Sequence, residues 1–87
     1  MNWYVYIIKC ADGSLYTGIT KDLDRRVEEH NSDNRLGSKY LRYRRPGVLV
    51  YYEEFINRAE AAKRESAIKK WKREYKLKLI DGFTGLP

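Results

Sequence analysis

Tyr6, Tyr16, Arg26, His30 and Glu65 are the residues of this chain whose types suit chemistry at a phosphodiester: two phenols, a guanidinium, an imidazole and a carboxylate. Such a reaction needs a proton acceptor for water, positive charge where the nonbridging oxygens gain electrons, and an oxygen ligand for a cation. The five residues come from three segments. They act together only if those segments converge.

The first segment is a predicted β-hairpin. Trp3 to Lys9 and Leu15 to Thr20 are rich in aromatic and β-branched residues and flank an Asp12-Gly13 turn. Pairing Cys10 with Ser14 sets Ile8 opposite Tyr16 and Tyr6 opposite Gly18, which makes Tyr6 and Tyr16 diagonal neighbours on one side of the sheet. Trp3, Val5, Ile7, Leu15, Thr17 and Ile19 take the other side, which reads as core. A one-residue slip would separate the two tyrosines. Gly18 marks a place where a ligand or another backbone comes close. Taken alone, the two tyrosines are also compatible with an ordinary half-buried strand face.

The second segment changes period. Leu23, Val27 and, at the margin, His30 follow helical spacing behind a possible N-cap at Asp22, which predicts a helix to about Asn31. Arg26 and His30 are four residues apart and share a face at the border between core and solvent. Asn31 to Gly37 reads as a loop, and Ser38 to Tyr43 as a short helical or irregular stretch stopping before Pro46. Val48 to Phe55 supplies a third strand.

Asn57 and Glu60 resemble a capping box opening a further helix with an apolar stripe of Ala61, Ala62, Ile68 and Trp71. Glu65 lies within that stripe. A carboxylate against a core needs compensation, so it is either paired internally with an arginine or held for a metal. A last short helix carries Tyr75, Leu77, Leu79 and Ile80. The order is β-β-α-(short α)-β-α-α, an α+β fold with a three-stranded antiparallel sheet, as one domain over residues 1–81 with a frayed tail at 82–87.

With 87 residues, a chain buries only roughly 60% of its unfolded surface, so stability is limited. The run Trp3 to Ile8 is too short for a membrane span and no basic leader precedes it, which places the chain in the cytoplasm. Cys10 is alone, excluding an internal disulfide and a thiolate zinc cluster, and reads as a small buried hydrophobe. Net charge is +6. Arg35, Lys39, Arg42, Arg44 and Arg45 have no acidic residue between them, and a second basic stretch runs from Lys63 to Lys78. Two such stretches fit a polyanion partner, with Lys9, Arg25, Lys39, Arg42, Arg44, Arg45, Lys69 and Lys70 as candidate nucleic-acid contacts. An ordinary solvated lysine face is the alternative.

Tyr4-Val5-Tyr6, then Tyr16-Thr17-Gly18, Asp22-Leu23-Asp24-Arg25-Arg26 and His30, together resemble the GIY-YIG nuclease superfamily. Gly37-Ser38-Lys39-Tyr40, Arg44-Arg45-Pro46 and Leu49-Val50-Tyr51 resemble its small stand-alone bacterial branch of uncharacterised proteins, similar to the catalytic domain of branched-DNA endonucleases. The resemblance covers nearly the whole chain. It implies a metal-dependent, structure-selective DNA endonuclease linked to repair or recombination, using one divalent ion, Mg²⁺ or Mn²⁺. By position, Tyr6 matches a candidate general base, Tyr16 a group orienting water and phosphate, and Arg26 the arginine near the scissile phosphate. Glu65 matches the metal-binding glutamate, and His30 a position that supports the site by hydrogen bonding.

A phenol with pKa about 10 is a poor base at neutral pH. Tyr6 therefore needs positive charge from Arg26, Lys9 or the metal to shift it downward, or must relay a proton. Two departures stand out: the first motif lacks its leading glycine, and no asparagine follows Asn57. A catalytically weak or inactive nucleic-acid-binding module within a complex is the alternative. RNA in place of DNA, a protein partner supplying specificity, and the oligomeric state are left open.

Overall fold

The hairpin forms in the expected register. In the computed structural model, which describes residues 2–33 and 39–83, β1 (Trp3–Lys9) and β2 (Leu15–Thr20) pair antiparallel with Ile8 opposite Tyr16 and Tyr6 opposite Gly18. The turn closes through Cys10 N–H to Ser14 O at 2.8 Å, with Gly13 at φ 85°, a left-handed conformation that glycine adopts without strain. Asp12 steadies it by accepting from both the backbone N–H and the hydroxyl of Ser14.

Strand β3 (Val48–Phe55) pairs antiparallel with β1, giving the order β2-β1-β3. Ile7 faces Tyr51 whereas Ile8 faces Leu49, so β3 carries an extra residue, Val50, at a bulge. Four helices complete the chain: α1 (Leu23–Ser32), α2 (Lys39–Arg42), α3 (Arg58–Lys69) and α4 (Arg73–Asp81). Asp22 caps α1 by accepting from Arg25 N–H, and Asn57 caps α3 by accepting from Glu60 N–H. Among the described residues no helix is long and apolar enough to cross a membrane.

One side of the hairpin was expected to be core, but both sides are. Val5 and Ile7 pack with Tyr51, Ala61 and Ile68 on one face, while Tyr6, Ile8 and Cys10 pack with Leu41, Leu23 and Val27 on the other. The reason is the central position of β1: helices cover both faces, so Val5 to Ile8 form a continuous buried run rather than an alternating one. In α4, Leu79 and Ile80 join the first core while Tyr75 and Leu77 are exposed, so the predicted apolar set is only half used. Phe83, within the stretch expected to fray, packs its ring on Tyr51 and Tyr52. Residues 34–38 and 84–87, which hold most of the predicted loop, Arg35 and the tail's end, lie outside the described residues.

Two ties hold α1 against the sheet. Asn31 bonds the backbone of Gly47 in both directions, its Nδ2 to the carbonyl at 2.9 Å and its Oδ1 from the N–H at 2.7 Å. Arg45 donates from Nε to the His30 carbonyl at 2.7 Å and from Nη2 to the Asp33 carbonyl. It thus satisfies carbonyls that a helix end leaves without partners, where the dipole also favours a cation.

Candidate functional site

Tyr6 projects from the centre of the sheet toward the edge strand, and Gly18 makes that possible. A Cβ on Gly18 would stand 2.5 Å from the Tyr6 hydroxyl and 2.7 Å from Cζ. The close approach expected at this glycine is made by the Tyr6 ring, not by backbone. Tyr16 lies beside it with ring centroids 6.3 Å apart, and Tyr16 and His30 form a T-shaped pair with centroids 5.3 Å apart.

His30 enters from the last turn of α1 and is 1% exposed, deeper than the core border predicted for it. Its Nε2 lies 2.9 Å from the Tyr6 hydroxyl oxygen. Arg26 hydrogen-bonds the same hydroxyl oxygen. A guanidinium can only donate, so the phenol proton stays available to Nε2 in the tautomer whose proton sits on Nδ1.

Burial acts on both partners in opposite directions. It raises the Tyr6 phenol well above its ordinary value, helped by neighbouring Tyr16, and the hydrogen bond and charge of Arg26 offset only part of this. It pulls His30 down to about 4, with the charges of Arg26 and Arg45 working the same way against the attraction of Glu29. Both groups are therefore neutral at pH 7. The expected downward shift of Tyr6 is not found, because desolvation outweighs one guanidinium. Lys9 gives no help: strand alternation turns it to the face opposite Tyr6 and Ile8, and it is exposed.

Arg26 is about 29% exposed and donates from Nη1 to Glu29 Oε1 at 3.0 Å. Arg25, on the outer side, bonds the other oxygen of the same carboxylate at 3.1 Å. Glu29 thus holds two arginines, and their hydrogen bonds keep its own carboxyl below the usual range. A cleft of about 240 Å³ lined by Thr20, Lys21, Asp22, Arg25, Arg26 and Glu29 opens beside this pair. Sequence reasoning missed Glu29, although its spacing of three and four from Arg26 and Arg25 was a usable signal.

Glu65 lies on α3, which packs on β1 and β2 from the other side of the sheet. Its charge nonetheless reaches the Tyr6 phenol and pushes it up. The expected internal arginine partner is absent among the described residues; Glu65 instead meets Lys69 at 3.4 Å along its own helix, a half-exposed pair. The arginine beside it, Arg64, is engaged by Glu53 through three contacts of 3.0 to 3.2 Å. No group of three His, Cys, Asp or Glu among the described residues forms a ready-made metal cage. A single carboxylate about 21% exposed fits a hydrated hard cation whose remaining positions water and phosphate oxygens fill.

The remaining candidate contacts divide. Lys39, Lys69 and Lys70 are exposed, and Arg25 is 73% exposed. Arg45 is committed to the end of α1. Arg44 packs its guanidinium 3.9 Å above the centre of the Tyr40 ring, and Arg42 is half-buried at the end of α2.

Comparison with known proteins gives the family and the fold. The sequence model of the GIY-YIG catalytic domain matches residues 2–78. The UPF0213 protein SSP2268 of Staphylococcus saprophyticus is 54% identical over 77 residues, covering 88% of this chain and 92% of that protein. Two solution NMR structures share the fold. The UPF0213 protein BH0048 of Bacillus halodurans has 42% identity and TM-score 0.61, covering 98% of this chain and 88% of that one. The protein EF2693 of E. faecalis has 39% identity and TM-score 0.62, covering 100% and 94%.

Proposed function

Since the chain belongs to the GIY-YIG family, whose domain is of nuclease type, we propose that it is a metal-dependent endonuclease hydrolysing DNA phosphodiesters. We assign it structure-selective substrates and a place in repair or recombination. The observation that carries this reading is the buried contact of Tyr6 with His30 and Arg26, within range of the Glu65 charge.

The proton path follows from that contact. Water gives a proton to the Tyr6 oxygen as Tyr6 passes its own proton to Nε2 of His30, so the phenol relays and is never a stored phenolate. The net change is an imidazolium, which burial and the nearby arginines oppose in the free protein. Negative charge brought by a bound phosphate favours it, so the relay becomes competent when substrate arrives. Arg26, held by Glu29 beside Tyr6, supplies fixed positive charge toward the nonbridging oxygens, and Tyr16 orders the ring layer against which phosphate and water sit.

Glu65 would hold the divalent ion, Mg²⁺ or Mn²⁺. When bound, that ion supplies positive charge offsetting what builds on the phosphoryl oxygens. Exposed Lys39, Lys69, Lys70 and Arg25 give salt-sensitive contacts to the backbone of the nucleic acid.

The test is incubation of branched, flapped and single-stranded DNA with Mn²⁺. Cleavage is expected from the parent chain, and its loss from Tyr6→Phe and from Glu65→Ala. Activity persisting in both variants would overturn the reading. A second reading, nucleic-acid binding without catalysis inside a complex, is favoured by the Glu65–Lys69 and Arg26–Glu29 pairs, which engage both site charges. It predicts salt-sensitive binding of DNA or RNA that Glu65→Ala leaves unchanged, with no cleavage unless a partner is added.

A further inference from the structure

The Tyr6 ring is the inner end of a ladder that leads to the surface. Tyr16 stands 6.3 Å from it, and Tyr40 stands 5.9 Å from Tyr16 with 31° between the ring planes. The Arg44 guanidinium caps Tyr40 at 3.9 Å. Beside it in sequence, Tyr43 is 82% exposed, a large aromatic ring given to solvent in a stretch without acidic residues.

Arg44 is held flat. Its Nη1 donates to the Tyr40 carbonyl at 2.9 Å, its Nε meets Asp12 Oδ2 at 3.2 Å, and its own carbonyl accepts from Ala11 N–H at 3.0 Å. These contacts use the edge of the guanidinium and one of its faces, while the side chain stays 36% exposed. The Asp12 carboxylate also offsets the positive charge, which weakens Arg44 as a phosphate clamp and leaves its plane as the useful feature. Guanidinium planes and tyrosine rings are the surfaces on which unpaired bases stack.

Resting on the endonuclease reading, we propose that Arg44, stacked on Tyr40, forms with Tyr43 a platform for an unpaired nucleobase of the substrate. A base within a duplex already has neighbours on both faces and cannot occupy such a platform. The substrate class is therefore nucleic acid with at least one unpaired nucleotide near the bond to be cut, as at a flap, branch or single strand. The ladder connects the Arg44 plane to Tyr6 through Tyr40 and Tyr16.

The test measures binding by the full chain in EDTA, so that no cleavage enters. The probes are a single-stranded DNA oligonucleotide, the same oligonucleotide made abasic at successive positions, and a blunt duplex. The parent is expected to bind the intact single strand about tenfold more tightly than the strand lacking the stacked base. Arg44→Lys keeps the charge and removes the plane; Tyr43→Ala removes the ring. Each is expected to erase the difference between intact and abasic strands and to leave duplex binding unchanged, and Tyr43→Trp to restore it. Because Arg44 also ties the hairpin turn to α2, Tyr43→Ala at a solvent-exposed position carries the test if Arg44→Lys melts early. Equal affinity of the parent for intact strands and every abasic strand would overturn the platform, as would equal losses on single strand and duplex in Tyr43→Ala. Cleavage in Mn²⁺ by a parent that ignores the missing base sinks the platform and spares the nuclease. Discrimination without cleavage does the reverse.

Discussion

The Tyr6 hydroxyl and His30 Nε2 lie 2.9 Å apart in a setting where the phenol is raised and the imidazole lowered to about 4. Two potential acid–base groups are thus joined in their neutral forms. The pair stores no charge in the free protein, and its chemistry waits on what binds beside it.

Stability should fall on mild acidification because of His30. Its folded pKa of about 4 is depressed below an unfolded value of about 6.5, so the unfolded chain binds more protons between these limits. Stability is then fully present above about pH 6.5 and declines as pH drops toward 4. The depressed carboxyls of Asp12, Glu29 and Glu54 add their losses at lower pH. Urea unfolding at intervals from pH 4 to 7.5 checks this hypothesis, with His30→Gln expected to flatten the upper part of the curve. An unchanged slope in that variant would show that another group carries it.

Gly18→Ala should damage the site more than any exposed substitution on β2. The added Cβ meets the Tyr6 hydroxyl at 2.5 Å, so the ring must swing away and the His30 contact lengthens. Overpacking of this kind destabilises by about 1–3 kcal/mol. The expected result is a lower denaturation midpoint, a His30 NMR titration moved toward the ordinary imidazole range, and loss of cleavage. A variant with wild-type titration and midpoint would mean that the ring has room to yield.

Glu29→Gln should lower turnover while leaving the fold intact. The carboxylate positions Arg26 next to Tyr6 and also engages the outer Arg25. Without it, Arg26 keeps its charge and loses its aim, and a misplacement on the ångström scale can cost about a hundredfold in rate. We predict a fall in kcat of at least about tenfold with KM little altered, and only a small drop in melting temperature from the lost Arg25 and Arg26 pairs. A pure rise in KM would instead identify Glu29 as part of the DNA-binding surface.

Arg45→Ala should act on stability rather than on nucleic-acid affinity. Arg45 bonds the carbonyls of His30 and Asp33 at the end of α1, and losing a charged hydrogen bond costs about 1.5–3 kcal/mol. The salt dependence of DNA binding should keep its slope, whereas Lys70→Ala or Lys39→Ala should reduce it by about one unit if that lysine touches phosphate. A shallower slope in Arg45→Ala would return it to the binding surface.

The hairpin register, the caps at Asp22 and Asn57 and the strand at Val48 were readable because each rests on neighbours in sequence: an Asp-Gly turn, a short polar side chain before a helical period, a β-branched run. Register alone placed Tyr6 beside Tyr16. By contrast, the partners of Glu29, Arg44 and Arg45 depend on how α1, α2 and the hairpin turn pack together, which no local period encodes.

What the sequence determined by itself was the set of elements and the face each hairpin residue takes, since turn chemistry and periods of 2 and 3.6 act over a few positions. Only the tertiary structure decided that both faces of β1 are buried, that Tyr6 fills the space left by Gly18, and that burial raises its phenol where a guanidinium was expected to lower it. Desolvation depends on everything packed around a group, and it is a property of the folded chain as a whole.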